Sequence, residues 1–585
     1  MNLENNPFEY EAANNLTDEL IADYYIDDFN YSRFIQSKRN VFLIGERGSG
    51  KTMALLFNSW RLQKLIAERK GEEPSLSTIG VYIPCNTPLT HKTEYELLDD
   101  FRGDVLSEHF LVLSMTYGLA ETLLEIPDVL EGADASLLRN EANYALGADL
   151  PDEVNFFEAV KQFLQRELLA TQRKISSRNR EAFYENTFSF ASVFVPILNM
   201  CASKIPRIKN SHFLLLLDDA HALNKYQVRA MNSWIAYRDH SLFSFKVAEA
   251  KVGAQSRITS SGGSILEGHD YTQIDMEAPL QNKKTDFYQL AERIVKQRLE
   301  NISISTTPKE FFPINETMKR DLAISEDAVR AEAMRKFESK DVKSKTVSDY
   351  VYKYKRAHYF KSRPPKANRP PYSGFETLVF LSTGVVRNLL EPCFRMFDSL
   401  VSELSEENLE KKPLTITSIP AEIQTKVILE RSRRAWEWLR DSIAQDIEDC
   451  TTEDGQRAFN LLDALAVLFR DRLRHHQSEP CALSFTISGS NQDTMDKLNH
   501  LIEILRKAQL LYKRTGPAKD EGRRESYYVP NKILWPDRGL DPHGQHARVS
   551  IPADVLWKAA ETGKIGLKDT DYKAEKQMEF WNEEQ

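Results

Sequence analysis

The sequence predicts an α/β P-loop core with a parallel five-stranded sheet, a helical insertion, a helical lid and a C-terminal winged helix. Three observations lead there. The apolar run Val41-Phe42-Leu43-Ile44 enters Gly45-Glu46-Arg47-Gly48-Ser49-Gly50-Lys51-Thr52, and residues 53–69 follow in helical rhythm. Four leucines, Leu214 to Leu217, lead into the acids Asp218 and Asp219. Near the C-terminus, a helix with apolar face Phe459, Leu462, Ala466 and Phe469 is followed by a short strand at 482–487. A second helix with Met495, Leu498, Ile502 and Leu505 and a hairpin come next; helix, helix and β-wing is the winged-helix order.

The glycine-rich turn is the most specific of these signals. A loop that curls its backbone N–H groups around an anion passes through conformations that side chains obstruct, and glycine removes the obstruction. In that pattern residues Gly45, Glu46, Arg47, Gly48, Ser49, Gly50, Lys51 and Thr52 form the phosphate cradle. Lys51 meets the β- and γ-phosphates, Thr52 offers its hydroxyl to Mg²⁺, and the N-terminus of the following helix faces the same anion. The acids after the 213–217 strand supply the other half. Asp218 is the expected Mg²⁺ holder and Asp219 the residue that orients an attacking water, so ATP and Mg²⁺ are the expected ligands.

The remaining core strands read from apolar runs at 78–85, 242–248 and 271–276, in the strand–helix alternation of a parallel sheet. Residues 92–200 are helical and interrupt that alternation as an insertion. At 585 residues the chain has length for about three or four domains. We divide it into an N-terminal segment packing on the core (1–40), the core (41–282) with its insertion (92–200), a helical lid (283–400) with a basic and aromatic arm (340–371), a helical linker (401–452), the winged helix (453–565) and a charged tail (566–585). The arm, rich in Lys, Tyr and Pro, is not expected to form a compact core alone.

Composition excludes several classes. The five cysteines are scattered without a C-x-x-C pair, which indicates neither a disulfide framework nor a zinc site and implies a reducing, cytoplasmic setting. Residues 1–10 have no basic-then-apolar leader, and no apolar run approaches the roughly 18 residues that span a bilayer, so no membrane partner is expected. A net charge of −9 argues against a wholly basic nucleic-acid coat but leaves local patches open.

Ser382-Thr383-Gly384-Val385-Val386-Arg387-Asn388-Leu389 completes a resemblance to the AAA+ P-loop NTPases. Within them the chain resembles the origin-recognition and replication-licensing loaders, including their bacterial ORC-CDC-like members. In that branch a Gly-x-x-Arg opening a lid helix places an arginine on the γ-phosphate, the role implied for Arg387, whose planar fork suits phosphate oxygens. The resemblance extends to Val81-Tyr82-Ile83-Pro84-Cys85 and to the C-terminal winged helix. It implies ATP hydrolysis, DNA engagement and oligomerisation, and a setting in anti-phage defence or mobile-element biology. Two departures stand out. The second acid is Asp219 where the family usually has Glu, which implies slow hydrolysis, and the sensor position on the 242–248 strand offers only Glu249. For an arginine finger reaching a neighbouring subunit, Arg257 is the first candidate and Arg238 the second.

Two regions could meet double-stranded DNA. The arm interleaves Lys353, Lys355 and Arg356 with tyrosines. Those cations would neutralise phosphates while the rings stack on bases, or the rings would pack on the lid instead. In the winged helix, Lys497 and Lys507 lie on the recognition helix, and Lys513, Arg514, Lys519, Arg523 and Arg524 lie on the hairpin, where a basic wing can follow the backbone or a groove. The alternative is a STAND-like signalling scaffold whose winged helix contacts protein. Its output is then partner-protein oligomerisation rather than DNA contact, and a homo-oligomer or an effector-protein partner is expected.

Overall fold

The computed structural model describes residues 6–27, 32–86, 98–175, 187–237, 241–252, 256–277, 286–337, 344–363, 369–407, 416–475, 482–489, 492–517, 524–543 and 548–565. The chain forms two compact units, one of Glu11–Glu277 and one of Met1–Tyr10 with Ala278–Gln585.

In the first unit, β1 (Val41–Gly45), β2 (Thr78–Pro84), β3 (His212–Asp218), β4 (Phe243–Ala250) and β5 (Thr272–Asp275) form one sheet in the order β2-β3-β4-β1-β5. Every pairing is parallel. The near-continuous apolar runs of β1 and β3 follow from burial on both faces, as a parallel sheet covered by helices requires. One face buries Phe42, Val81, Leu215 and Phe245 beneath the insertion. The other buries Val41, Leu43, Leu214 and Leu216 beneath the helix Lys51–Phe57.

The insertion between β2 and β3 is built from the helices Asp100–Leu124, Ala135–Leu146, Phe156–Ile175 and Val195–Lys204. Its longest helix lies close on the sheet: a Cβ at Gly118 would sit 3.3 Å from the Tyr82 carbonyl oxygen.

The helical rhythm of 53–69 is one segment in the sequence and two helices in space, Lys51–Phe57 and Trp60–Lys70. The break falls at Asn58-Ser59, whose side chains donate back to the Ala54 and Leu56 carbonyls and so compete with the helical ladder. The broken turn lies against β2, where a Cβ at Gly80 would be 2.0 Å from the Asn58 carbonyl oxygen. The N-terminal segment divides as well. Ala13, Ile21, Leu56 and Leu62 form a cluster in the first unit, whereas Phe8 packs on Phe311, Phe312 and Phe397 of the second. The segment 1–40 is therefore not one body.

In the second unit the arm is a helix, Ser344–Ser362, laid against the helix Glu316–Phe337. Val329, Ala333, Tyr350, Val351 and Tyr354 make a small core between them, so the arm's core is shared with the neighbouring helix rather than formed by the arm alone. The helix Ala421–Asp441 from the linker is likewise structural: Trp436 and Leu439 join the core of Leu462, Leu465 and Phe469. Beyond the helix Thr452–His475, β6 (Ser484–Ser488), the helix Gln492–Lys507, β7 (Leu511–Pro517), β8 (Arg524–Pro530) and β9 (Arg548–Pro552) follow. Their sheet has the order β7-β8-β6-β9, with β7 and β8 antiparallel and β6 and β9 parallel. The sequence gives little sign of β9 or of the closing helix Ala553–Thr562, since only Val549 and Ile551 mark the strand. Among the described residues no helix is long and apolar enough to cross a membrane.

The contact at Gly80 makes a test of packing. Gly80→Ala forces β2 away from the Asn58 backbone and is expected to cost about 1–3 kcal/mol, read as a lower thermal midpoint. Gly263→Ala, whose Cβ would meet Thr259 Oγ1 at an ordinary 3.4 Å, is the control expected to leave the midpoint nearly unchanged.

Candidate nucleotide site

The parallel sheet delivers the C-terminal ends of β1 and β3 to one edge, the usual ligand side of an open α/β sheet. After β1 the chain turns through Gly48 and Gly50, at φ 85° and 96°, the left-handed region that glycine occupies without strain. Gly45 is needed for a different reason, because a Cβ there would collide with Ser49 Oγ at 2.4 Å.

Lys51 is 6% exposed, and its ammonium donates to the Gly45 and Glu46 carbonyls at 2.8 and 2.9 Å. Burial lowers its pKa to about 8, against the opposing pull of Asp218, Asp219 and Glu46. The loop is also held from behind. The Glu46 N–H donates to the Glu277 carboxylate, which accepts in turn from Lys251 at 3.0 Å. Lys251 also reaches Asp275 at 2.8 Å. Sequence reasoning missed Glu277 and Lys251, and their one available signal was their position just past the ends of β5 and β4.

Asp218 closes β3 and is 1% exposed. Burial and the neighbouring Asp219 raise its pKa to about 6, while hydrogen bonds from the Tyr82 and Thr52 hydroxyls act the other way. Tyr82 donates to Oδ2 at 2.8 Å; Oδ1 finds no hydrogen-bond partner among the described residues. A buried carboxylate oxygen with unused lone pairs beside a threonine hydroxyl is a hard oxygen donor set of the kind magnesium takes. Asp219 follows in the left-handed region at φ 51°, with its carboxylate partly exposed.

Glu249 and Arg257 find each other. The guanidinium donates to both Glu249 oxygens, at 2.9 and 2.7 Å, and lies 4.0 Å from the Phe42 ring centroid. Glu249 is 2% exposed. Both are occupied as an internal brace across the sheet, which removes Glu249 as a phosphate sensor and corrects the assignment of Arg257 as a finger for a neighbouring subunit. Arg238 lies outside the described residues.

Arg387 belongs to the second unit, in the first turn of the half-exposed start of the helix Val386–Glu407. The turn before it holds Thr383 at φ 54° and Gly384 at φ 84°. Thr383 Oγ1 accepts from the Lys532 N–H at 3.1 Å, and the Thr383 carbonyl accepts from Arg514 at 3.1 Å. Asn388 donates to the Tyr512 hydroxyl at 3.1 Å. The turn is thereby fastened to β7 and to the segment after β8.

The basic candidates divide into internal and surface groups. Arg356 grips the buried Asp541 with two hydrogen bonds of 2.8 and 2.9 Å, holding that carboxyl far below the usual carboxylate range. Lys355 pairs with Glu326 at 3.1 Å, and Arg514 holds the Thr383 turn. These three are corrected from nucleic-acid contacts to internal ties, and Tyr350, Tyr354 and Tyr359 are buried rather than open to bases. Lys353 and Lys513 are exposed. Lys519 and Arg523 lie outside the described residues, and Arg524 begins β8.

The model of the ORC-CDC6-like family matches residues 6–346 and 324–551. The chain belongs to the ORC-CDC6-like family. None of the curated proteins matches it. Membership makes this an AAA+ P-loop ATPase by family, and ORC-CDC6-like ATPases generally bind nucleotide and Mg²⁺.

The Glu249–Arg257 brace gives a second test. Arg257→Ala strands a buried carboxylate and is expected to destabilise the ORC-CDC6-like chain by about 3 kcal/mol, whereas Arg257→Met combined with Glu249→Leu recovers most of that loss. Mixing the single variant with wild type discriminates further: a finger acting on a neighbour would poison mixed assemblies, while an internal brace leaves the wild-type subunits' turnover unchanged.

Proposed function

We propose that the protein is an ATP·Mg²⁺-driven switch that couples nucleotide state to DNA binding. The observation that carries this reading is the fastening of the Arg387 turn to the C-terminal sheet through Thr383, Asn388, Arg514 and Tyr512. Any pull on Arg387 by a γ-phosphate is transmitted to β7 without crossing a flexible joint.

In this reading residues 45–52 cradle the phosphates with their backbone N–H groups. Lys51 exchanges two loop carbonyls for β- and γ-phosphate oxygens, a change that favours its charged form by placing anions where neutral dipoles stood. Thr52 and Asp218 would hold the magnesium, which neutralises charge developing on the phosphates. Asp219 orients the attacking water, and its side chain, one methylene shorter than glutamate, makes turnover slow. Arg387 reads the γ-phosphate. We assign 453–565 as the winged helix and 283–400 as the lid. The exposed Lys513 and Lys353, together with Arg523 and Arg524, contact the phosphate backbone of double-stranded DNA. A homo-oligomeric, cytoplasmic assembly in anti-phage defence or mobile-element biology fits the resemblance.

The internal ties of Lys355, Arg356 and Arg514 favour a second reading, in which the C-terminal sheet docks an effector protein in a STAND-like scaffold. Salt separates the two. A DNA-binding switch loses affinity steeply as salt rises, because each neutralised phosphate releases counterions.

Lys51→Ala is expected to weaken ATP binding by roughly 10- to 100-fold, about 1.4–2.8 kcal/mol, measured by calorimetry. Thr383→Ala is expected to keep ATP affinity and to abolish the effect of ATP on DNA affinity, measured by fluorescence anisotropy at several salt concentrations. Wild-type DNA binding that is the same with and without ATP would overturn the coupling, and the absence of any salt-dependent DNA binding would favour the scaffold.

A further inference from the structure

We propose that Tyr82 is a positioning residue for the magnesium-holding carboxylate: by donating to Asp218 Oδ2 it fixes the rotation of the carboxylate and turns Oδ1 towards the metal. The inference rests on the reading of Asp218 as the magnesium holder.

The sheet register sets the geometry. Tyr82 pairs with Leu216 and Pro84 with Asp218, and the Cys85 N–H donates to the Asp218 carbonyl at 2.9 Å, so β2 and β3 are locked together to the final residue. Since side chains alternate along a strand, Tyr82 and Asp218 share one face on adjacent strands, offset by two residues along the sheet. A long aromatic side chain covers such a diagonal, and the hydroxyl arrives 2.8 Å from Oδ2. The ring cannot swing away easily, because it packs on the cluster of Leu55, Phe57 and Leu216. A phenol carries one proton, and the carboxylate is the stronger acceptor. The same hydroxyl lies 3.1 Å from Asn14 Oδ1, a neutral acceptor at a longer distance than the carboxylate. The chain Asn14–Tyr82–Asp218 ties the N-terminal turn Ala13–Asn15 to the site.

A group behind a ligand that fixes its orientation is worth about 10- to 100-fold in metal affinity. Tyr82 donates to Oδ2, and Oδ1 has no hydrogen-bond partner among the described residues, which is the division of labour such a pair needs.

The test uses the full chain, a fluorescent ATP analogue and magnesium titrated from EDTA, with Mn²⁺ bound to the complex followed by electron paramagnetic resonance. Tyr82→Phe retains the ring and is expected to raise the magnesium concentration for half-maximal nucleotide binding by roughly 10-fold, to broaden or weaken the bound Mn²⁺ signal, and to leave affinity in EDTA unchanged. Asp218→Asn is measured beside it. If Asp218→Asn loses magnesium dependence and Tyr82→Phe matches wild type, the role of Tyr82 is overturned while that of Asp218 stands. If Asp218→Asn keeps the wild-type magnesium response, the underlying reading falls and Tyr82 with it. A Tyr82→Phe protein weakened equally in EDTA and in magnesium also overturns the proposal, since that is the result of a packing role.

Discussion

Burial of charge at the strand ends is the constraint on which the first unit depends. Lys51 and Asp218 are both almost wholly out of water, at the mouths of strands that the parallel register brings to one edge. Each resists ionisation there: burial pulls the ammonium down to about 8 and pushes the carboxyl up to about 6. An isolated buried charge costs several kcal/mol, so the surroundings supply partners: two loop carbonyls for the ammonium and two hydroxyls for the carboxylate. The Glu277–Lys251–Asp275 set does the same one layer out, holding the P-loop backbone through Glu46. These partners all belong to the chain itself, while Asp218 Oδ1 is left without one among the described residues.

The same cost explains what a reading of the sequence could reach. The five core strands and the P-loop were legible because their signals are local: apolar runs, glycines at fixed spacing, acids directly after leucines. Side-chain partnerships are not local. Glu277 meets the P-loop backbone from 231 residues away, and Arg356 meets Asp541 across 185. A basic run with interleaved tyrosines therefore reads equally as a nucleic-acid surface or as an arm whose rings pack on the lid, whereas Asp541 holds Arg356 and the facing helix holds Tyr350 and Tyr354. Arg257 and Glu249 are only eight residues apart, yet no residue pattern announces their pairing. The helix 53–69 failed for a related reason, since the capping habits of Asn58 and Ser59 outweighed the continuity of the apolar face.

Backbone strain marks the remaining feature that local patterns could not disclose. Asp219 and Thr383 both occupy the left-handed region, at φ 51° and 54°, which a non-glycine residue enters at a cost of roughly 1–3 kcal/mol. Aspartate tolerates that conformation comparatively well, but for β-branched threonine it is an outlier. The conformation at 383 persists because hydrogen bonds from Lys532 and Arg514 over-determine it. Asp219 is held differently: its strand is buried along its whole length, and the turn into Ala220–Ala222 follows at once.

Each strained residue stands at a candidate nucleotide-reading corner, Asp219 beside Asp218 in one unit and Thr383 before Arg387 in the other. A relaxed backbone at either corner would swing the following side chain off its direction, since a change from left-handed to ordinary φ redirects the chain at that residue. Each unit thus keeps a left-handed non-glycine residue at such a corner. At 383 the lock is made by Arg514 of β7 and by Lys532 in the segment after β8. Relaxing the backbone at 383 therefore means breaking its hydrogen bonds to Arg514 and Lys532, which ties the conformation of the turn before Arg387 to the segments that carry those residues.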